Sequence, residues 1–190
     1  MSAQPMRKQQ LVEAAIEEIG STGTLNVTVG KIAKRAGVSA ALAFHYFGDK
    51  DTLFLAAMRH VLAIYGAEVR GALVASDGPH ERLAAIIRAN FSPTNFRGEV
   101  IAAWLNFYVL AQQSTEARRL LSVYHRRLQS NLVYSLRPLA GDAAPEIATR
   151  LGGLIDGIYL RFAVNPSDTT GKSAAAQVLT TLDHELRALK

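Results

Sequence analysis

Thr28–Lys50 reads TVGKIAKRAGVSAALAFHYFGDK, and the rest of the chain is organised around it. Val29, Ile32, Ala33 and Ala36 recur at i, i+3, i+4 and i+7, the spacing of one short amphipathic helix. Thr28 stands at the N-cap, where a hydroxyl can take a free backbone N–H. Gly37 closes the helix, because a sharp turn needs φ > 0 and glycine has no Cβ to clash. Ser39 then caps a second helix that runs to about Phe47. Two short helices hinged at a glycine form a helix-turn-helix, a unit that lays its second helix in the major groove of DNA while the first crosses the phosphate backbone.

The local charge agrees. Lys31, Lys34, Arg35 and Lys50 face only Asp49, and His45 and Tyr46 add polar tips that can reach phosphate oxygens. The residues best placed against base edges are Ala40, Ala41 and Leu42. None can form the bidentate hydrogen bonds that read guanine or adenine, so base reading would rest on thymine methyls, backbone approach and DNA shape. An ordinary helical hairpin with a solvated basic face fits the same pattern, and a bare helix-turn-helix does not separate the two.

Extended to Leu53, the segment IAKRAGVSAALAFHYFGDKDTL resembles the signature of the TetR family of repressors. It carries Ala33, Ala36, Gly37, Val38 and Ser39, then His45, Tyr46 and Phe47, then Asp49, Lys50 and Leu53 at the family's spacings. One helix precedes the motif and about 140 residues follow it, as in that family. AAWLNFY at Ala102–Tyr108, RRLQSNLV at Arg126–Val133 and LIDGIYLR at Leu154–Arg161 are similar to the regulatory domain of the family's BetI-type branch, which controls choline-to-glycine-betaine genes. The resemblance implies a DNA-binding domain over 1–50 and a ligand-binding and dimerisation domain over 51–190. It also implies a homodimeric, ligand-responsive repressor on double-stranded operator DNA. The DNA contacts would come from Thr28, Lys31, Ser39, Ala40, Ala41, Leu42, Phe44, His45, Tyr46 and Lys50. There are departures: Ala43 replaces the usual bulky Leu or Ile, and Phe44 replaces a frequent Tyr, removing a hydroxyl that could bind phosphate.

Composition bounds the alternatives. At 190 residues, 49% hydrophobic and 19% charged, the chain can bury a sizeable core and is globular. A net charge of +5 is compatible with a polyanionic partner. Without cysteine there is no disulfide framework, thiolate nucleophile or thiolate metal site. Met1–Gln10 is polar, unlike a signal peptide, and no stretch approaches the ~18 apolar residues of a membrane span. A soluble cytoplasmic protein is expected. His45, His60, His80, His125 and His184 are scattered, no G-x-S-x-G occurs, and no glycine loop suits a phosphate. The chain therefore reads as neither an enzyme nor a cofactor or metal protein.

Taken in order, the periodicities predict an all-α fold of about nine helices. The first ends at Gly20 and the S-T-G-T turn. After the helix-turn-helix come Asp51–Ala75, His80–Phe91, Phe96–Gln113, Thr115–Leu136, Pro145–Val164 and Ser173–Leu189. No period-2 run of β-branched residues suggests a sheet. The helix of ~25 residues from Asp51 spans nearly 40 Å, long enough to join a DNA-binding head to a body.

Two features of the C-terminal half invite function. Leu151, Leu154, Ile155 and Ile158 make an apolar stripe beside Gly152, Gly153 and Gly157, and Val178, Leu179, Leu182, Leu186 and Leu189 make another. Two such helices per subunit could build a four-helix dimer interface, or both could pack inside one chain; paired half-sites favour the dimer. Trp104, Phe107 and Tyr108 share a helix face, and Asp156 and Tyr159 share another; Phe91 and Tyr65 are further candidates. Aromatic faces around a carboxylate suit a quaternary ammonium, which ring quadrupoles hold. At helical spacing, however, the same rings suit a hydrophobic core. The family resemblance tilts the choice towards a choline-type pocket, with an efflux or catabolic regulator of different effector as the rival. A helical protein-interaction or small-molecule-sequestering module is the alternative of another class.

Overall fold

The structure, a computed structural model, describes residues 3–165 and 169–189. Nine α-helices follow one another among them: α1 (Ala3–Thr22), α2 (Val29–Arg35), α3 (Ala40–Phe47), α4 (Lys50–Val74), α5 (Pro79–Asn90), α6 (Gly98–Gln113), α7 (Thr115–Ala140), α8 (Ala144–Val164) and α9 (Gly171–Arg187). A short 3-10 turn, Gly141–Ala143, links α7 to α8. The described residues contain no strand. The chain divides into two compact units, Met1–Ala63 with Gly98–Leu121, and Ile64–Arg97 with Ser122–Lys190, so the divisions fall inside α4 and α7.

The first unit is built on α1. Leu11, Ala14, Ala15 and Ile19 are buried along one face, and α6 is a principal partner of that helix. The crossing is close because of Gly20. A Cβ at that position would fall 2.6 Å from both the Cβ and the carbonyl oxygen of Glu99. Gly20 is therefore not the helix terminator expected from sequence: α1 continues to Thr22, and Gly23, at φ 66°, makes the turn. α2 and α3 also pack on α1 through buried Ile32, Ala33 and Ala43. Arg35 at the end of α2 reaches back to α1, its Nε 2.7 Å from Glu18 and its Nη1 3.6 Å from Glu17. The hydrogen bond to Glu18 raises the guanidinium's pKa further.

In the second unit α9 packs on both α5 and α8. Leu83, Ile86 and Ile87 of α5, Leu151 and Ile155 of α8, and Val178 and Leu182 of α9 are buried. Arg150 pins α8 to α9 through two hydrogen bonds to Glu185, at 2.6 and 2.7 Å, and it also meets Glu146 at 3.1 Å. Gly171 begins α9 against the end of α5, where a Cβ would collide with the carbonyl oxygen of Phe91.

Several boundaries differ from the sequence reading. α7 runs through Pro138 to Ala140; a proline two residues from a helix end removes only one late hydrogen bond. α9 begins at Gly171 because Thr170 and Ser173 form a reciprocal capping box. One helix, α4, is long and apolar enough by length and composition alone to cross a membrane, contrary to the expectation that no stretch comes near. Its Leu53, Phe54, Ala57 and Met58 are buried in the first unit.

The apolar stripe assigned to a dimer interface is mostly interior to the chain. Leu151, Ile155, Ile158 and Leu182 are buried without any partner chain, because α8 and α9 turn these faces inward; Leu154, Leu179 and Leu186 are half-buried. Nor do Gly152, Gly153 and Gly157 admit a neighbouring helix of this chain: a Cβ at any of them would meet nothing within 4 Å.

The α1–α6 crossing gives a direct test. Gly20→Ala gains helix propensity but forces a Cβ into the backbone of Glu99. The overpacking should prevail and destabilise the protein by about 1–3 kcal/mol. A denaturant midpoint that rises instead would show that α6 yields to the added methyl.

Candidate functional site

The helix-turn-helix is built from local chemistry. Thr28 Oγ1 accepts the Lys31 N–H at 3.2 Å, and Ser39 Oγ accepts the Leu42 N–H at 3.2 Å, so both expected caps are in place. Ala36 caps the end of α2, and Gly37 turns the chain at φ 69°. Gly48 ends α3 at φ 77°, accepting the same backbone freedom. Asp49 then caps α4 with a 2.6 Å bond from the Thr52 N–H, which lowers its pKa below the usual carboxylate value.

α3 has one inward side. Ala43 is 1% exposed, so its small side chain lets α3 sit close to its neighbours, whereas Phe44 is 49% exposed. Ala41 and His45 are exposed with it; Ala40, Leu42 and Tyr46 are half-buried. Lys31 and Lys34 of α2 are exposed, as are Thr28 and Ser39. The Tyr46 ring lies 5.6 Å from His45 and carries Lys8 of α1 at 5.6 Å over its face. The placement of Lys8 over Tyr46 brings a further positive charge to α3.

Two of the cations in this stretch are already engaged. Arg35 is held by Glu18 and Glu17. Lys50 donates to the Leu25 carbonyl at 3.4 Å and lies 5.5 Å over Phe54, which fixes its stem while its ammonium keeps other donors. Lys50 therefore has a structural task as well as the expected phosphate contact.

The aromatic residues divide between the two units. Trp104, Phe107 and Tyr108 lie in the first. Trp104 and Tyr108 meet edge to face at 5.8 Å, and Phe107 is wholly buried. Phe91, Asp156 and Tyr159 lie in the second, where the Phe91 and Tyr159 rings are 5.7 Å apart and Phe96 packs on both, at 5.3 and 5.5 Å. Asp156 is about 40% exposed and faces His125 at 3.9 Å.

The second unit also holds a polar cluster that the sequence did not reveal. Asn90 is fully buried; its Nδ2 donates to Ile86 O at 2.8 Å, and its Oδ1 accepts from Tyr124 at 3.4 Å. The Tyr159 hydroxyl donates to the Asn90 carbonyl. Tyr65 packs edge to face on Tyr124 at 5.2 Å; burial pushes its pKa far up, against the lowering effect of the Asn90 hydrogen bond and with a smaller rise from the Asp156 charge, and keeps it neutral. Beside it, Glu68 accepts from Ser92 Oγ and Asn95 Nδ2, each at 2.6 Å. The available signal was the run Asn90-Phe-Ser-Pro-Thr-Asn95, polar residues at the end of an amphipathic helix whose burial no local pattern could predict. A wall of hydroxyls and rings beside the part-exposed Asp156 carboxylate has the chemistry to hold a cation.

Comparison with known proteins assigns both halves. Residues 11–57 match the family of bacterial regulatory proteins called tetR, and residues 79–187 match the C-terminal domain of the BetI-type transcriptional repressors. An HTH-type transcriptional regulator BetI from Brucella melitensis biotype 2 is 52% identical over 92% of this chain and 89% of its own length. The BetI regulator of Agrobacterium fabrum is 45% identical over 97% of this chain and 90% of its own. Among solved structures, a transcriptional regulator from Saccharomonospora viridis in complex with choline is similar at a TM-score of 0.84, with 22% identity over 93% of this chain and 95% of that one. A regulator from Rhodococcus sp. Rha1 is similar at 0.84, with 20% identity over 95% and 96%. With the capped helix-turn-helix at one end and the matched regulatory domain at the other, this chain belongs to the TetR family of DNA-binding regulators and, within it, to the BetI-type transcriptional repressors.

Proposed function

We propose that this repressor acts as a homodimer on a palindromic operator upstream of choline and glycine-betaine genes and that choline is its effector. The observation that carries the DNA reading is the sidedness of α3: Ala43 is buried while Ala41, Phe44 and His45 are exposed on a helix capped at both ends. Residues 1–50 serve as the DNA-binding domain and 51–190 as the ligand-binding and dimerisation domain. Thr28, Lys31, Ser39, His45, Tyr46 and Lys50 hold phosphates, and Ala40, Ala41, Leu42 and Phe44 face the bases. Choline sits where Asp156 supplies charge and Tyr159, Tyr65 and Tyr124 supply ring faces. The choline complex of the Saccharomonospora relative supports this choice of effector over one of an efflux or catabolic operon. Choline must favour the released state by roughly 1–3 kcal/mol to act as a switch.

For the dimer, the outward faces of α8 and α9 replace the buried stripe. Gly153 and Leu160 are exposed, Gly157 and Leu186 are half-buried, and Val164 is exposed at the end of α8. Three helical glycines with open space above them allow a second copy to approach closely.

Four outcomes check the proposal. Lys31→Ala should weaken operator binding on all sequences alike and reduce the slope of log affinity against log salt by about 0.9. Tyr46→Ala should damage binding more than Tyr46→Phe, which keeps the ring under Lys8; equal effects would assign the whole loss to the hydroxyl. In a shift assay on the chain's own upstream region, choline should weaken binding at least fivefold, and Asp156→Asn should abolish that response. A choline-insensitive wild type would remove choline as effector while leaving the repressor in place. Finally, Gly157→Trp should leave helix content unchanged, since a Cβ there meets nothing within 4 Å among the described residues, and yield a monomer by light scattering with operator affinity reduced at least 100-fold. A Gly157→Trp protein that remains dimeric would place the interface elsewhere.

A further inference from the structure

The second unit carries a groove of about 720 Å³ that the polar cluster does not use. Its floor and walls are apolar: Phe91 and Phe96 from the end of α5 and the turn after it, Ala175, Ala176 and Leu179 from α9. Arg88 and Lys172 also line it, both exposed, and neither forms an ion pair with a carboxylate of the described residues. The one hydroxyl in the lining, Ser92, is spent on Glu68, whose carboxylate is not among the lining residues. The groove thus offers two uncompensated cations, an apolar floor, and little polar capacity besides.

We propose that this groove is a binding site for a free amphiphilic monocarboxylate, with the carboxylate between Arg88 and Lys172 and the alkyl chain over Phe91, Phe96, Ala175 and Leu179. The charge pattern selects the class. Two cations match one compact anion, while the lack of free donors and acceptors along the floor disfavours a sugar, a nucleotide base or an extended peptide, whose polar groups would be left unpaired. The volume falls within the roughly 300–1,000 Å³ of ordinary small-molecule sites. The groove is shaped from both sides by a close backbone approach, since Gly171 brings the first turn of α9 against Phe91 O. Its floor is also the wall of the aromatic set: Phe91 and Phe96 both pack on Tyr159, whose hydroxyl is bonded to Asn90. An occupant of the groove therefore presses on the rings that orient the polar cluster.

The test is calorimetric titration of the full-length protein with sodium decanoate, below its micellar concentration, and with 1-decanol. Decanoate should bind at least tenfold more tightly than decanol. Arg88→Gln combined with Lys172→Gln should weaken decanoate at least tenfold and leave decanol unchanged, while Ala176→Trp, which fills the groove from an exposed position, should abolish both. Circular dichroism and operator affinity should match the wild type in each variant, since none of these residues belongs to the DNA interface. Equal affinity for decanoate and decanol, or decanoate binding indifferent to both sets of substitutions, would overturn the proposal. So would binding to phosphatidylglycerol vesicles without binding of free decanoate, which would make the face a membrane contact. A fall in oligomeric mass on Ala176→Trp would assign the groove to a second copy of the chain and would equally overturn it.

Discussion

The contact on which the first unit depends is the approach of α1 to α6 at Gly20. Helices of seven and eight residues, such as α2 and α3, have too few internal hydrogen bonds to persist alone in water, and their stability must come from packing. That packing is supplied by α1, which buries Ile32, Ala33 and Ala43 and holds Arg35 through Glu18. α1 is in turn fixed by α6, and the approach is close enough that the backbone of Glu99 occupies the space a side chain at position 20 would need. The angle at which α3 is offered outward thus depends on the crossing of α1 with α6.

This dependence explains how charge is used. Of the four basic residues in the helix-turn-helix stretch, Arg35 is committed to α1 and Lys50 is tethered to the Leu25 carbonyl and the Phe54 ring. Lys31 and Lys34 keep exposed ammonium groups, and Lys8 is added from α1. The net count of charge along the sequence gives the sign but not which cations are already engaged within the protein, as Arg35 is. Guanidinium groups are well suited to fixed, forked contacts, and the chain spends its arginine on holding two helices together while leaving the more mobile lysines outward.

What could be read in the sequence was local. Thr28, Gly37 and Ser39 act on backbone groups within three residues of themselves, so the helix-turn-helix and its caps were legible from residue types alone. Gly20 was not, because a glycine that ends a helix and one that admits a neighbour look the same until residue 99 is brought beside it. The stripe Leu151, Ile155, Ile158 was correctly periodic, but periodicity states that a face is covered and not by what; α8 and α9 cover it within the chain. Asn90 escaped for the opposite reason. A buried asparagine makes sense only once Tyr124, Tyr159 and the Ile86 carbonyl, from two other helices and its own, are seen to satisfy it.

The residues of α3 carry one more consequence. In the proposed DNA interface, Ala40, Ala41 and Leu42 offer methyl groups and no side-chain donors or acceptors to a base edge, and Phe44 offers a ring. Direct readout from such a helix can favour thymine methyls but cannot distinguish all four base pairs, each of which is told apart in the major groove by its donors and acceptors. In the proposed dimer, discrimination would come from quantities that do not belong to one helix: the deformability of the DNA, and the separation at which two copies present their helices to two half-sites. Separation is a steep filter, because a helix displaced along the duplex by a fraction of a turn meets the backbone instead of the groove. An effector that alters it can abolish binding without touching a residue of the interface. On the proposed function, the apolar character of α3 and control by an effector are then two sides of one arrangement, in which little of the specificity would reside in base contacts and much of it in a spacing that a small molecule can change.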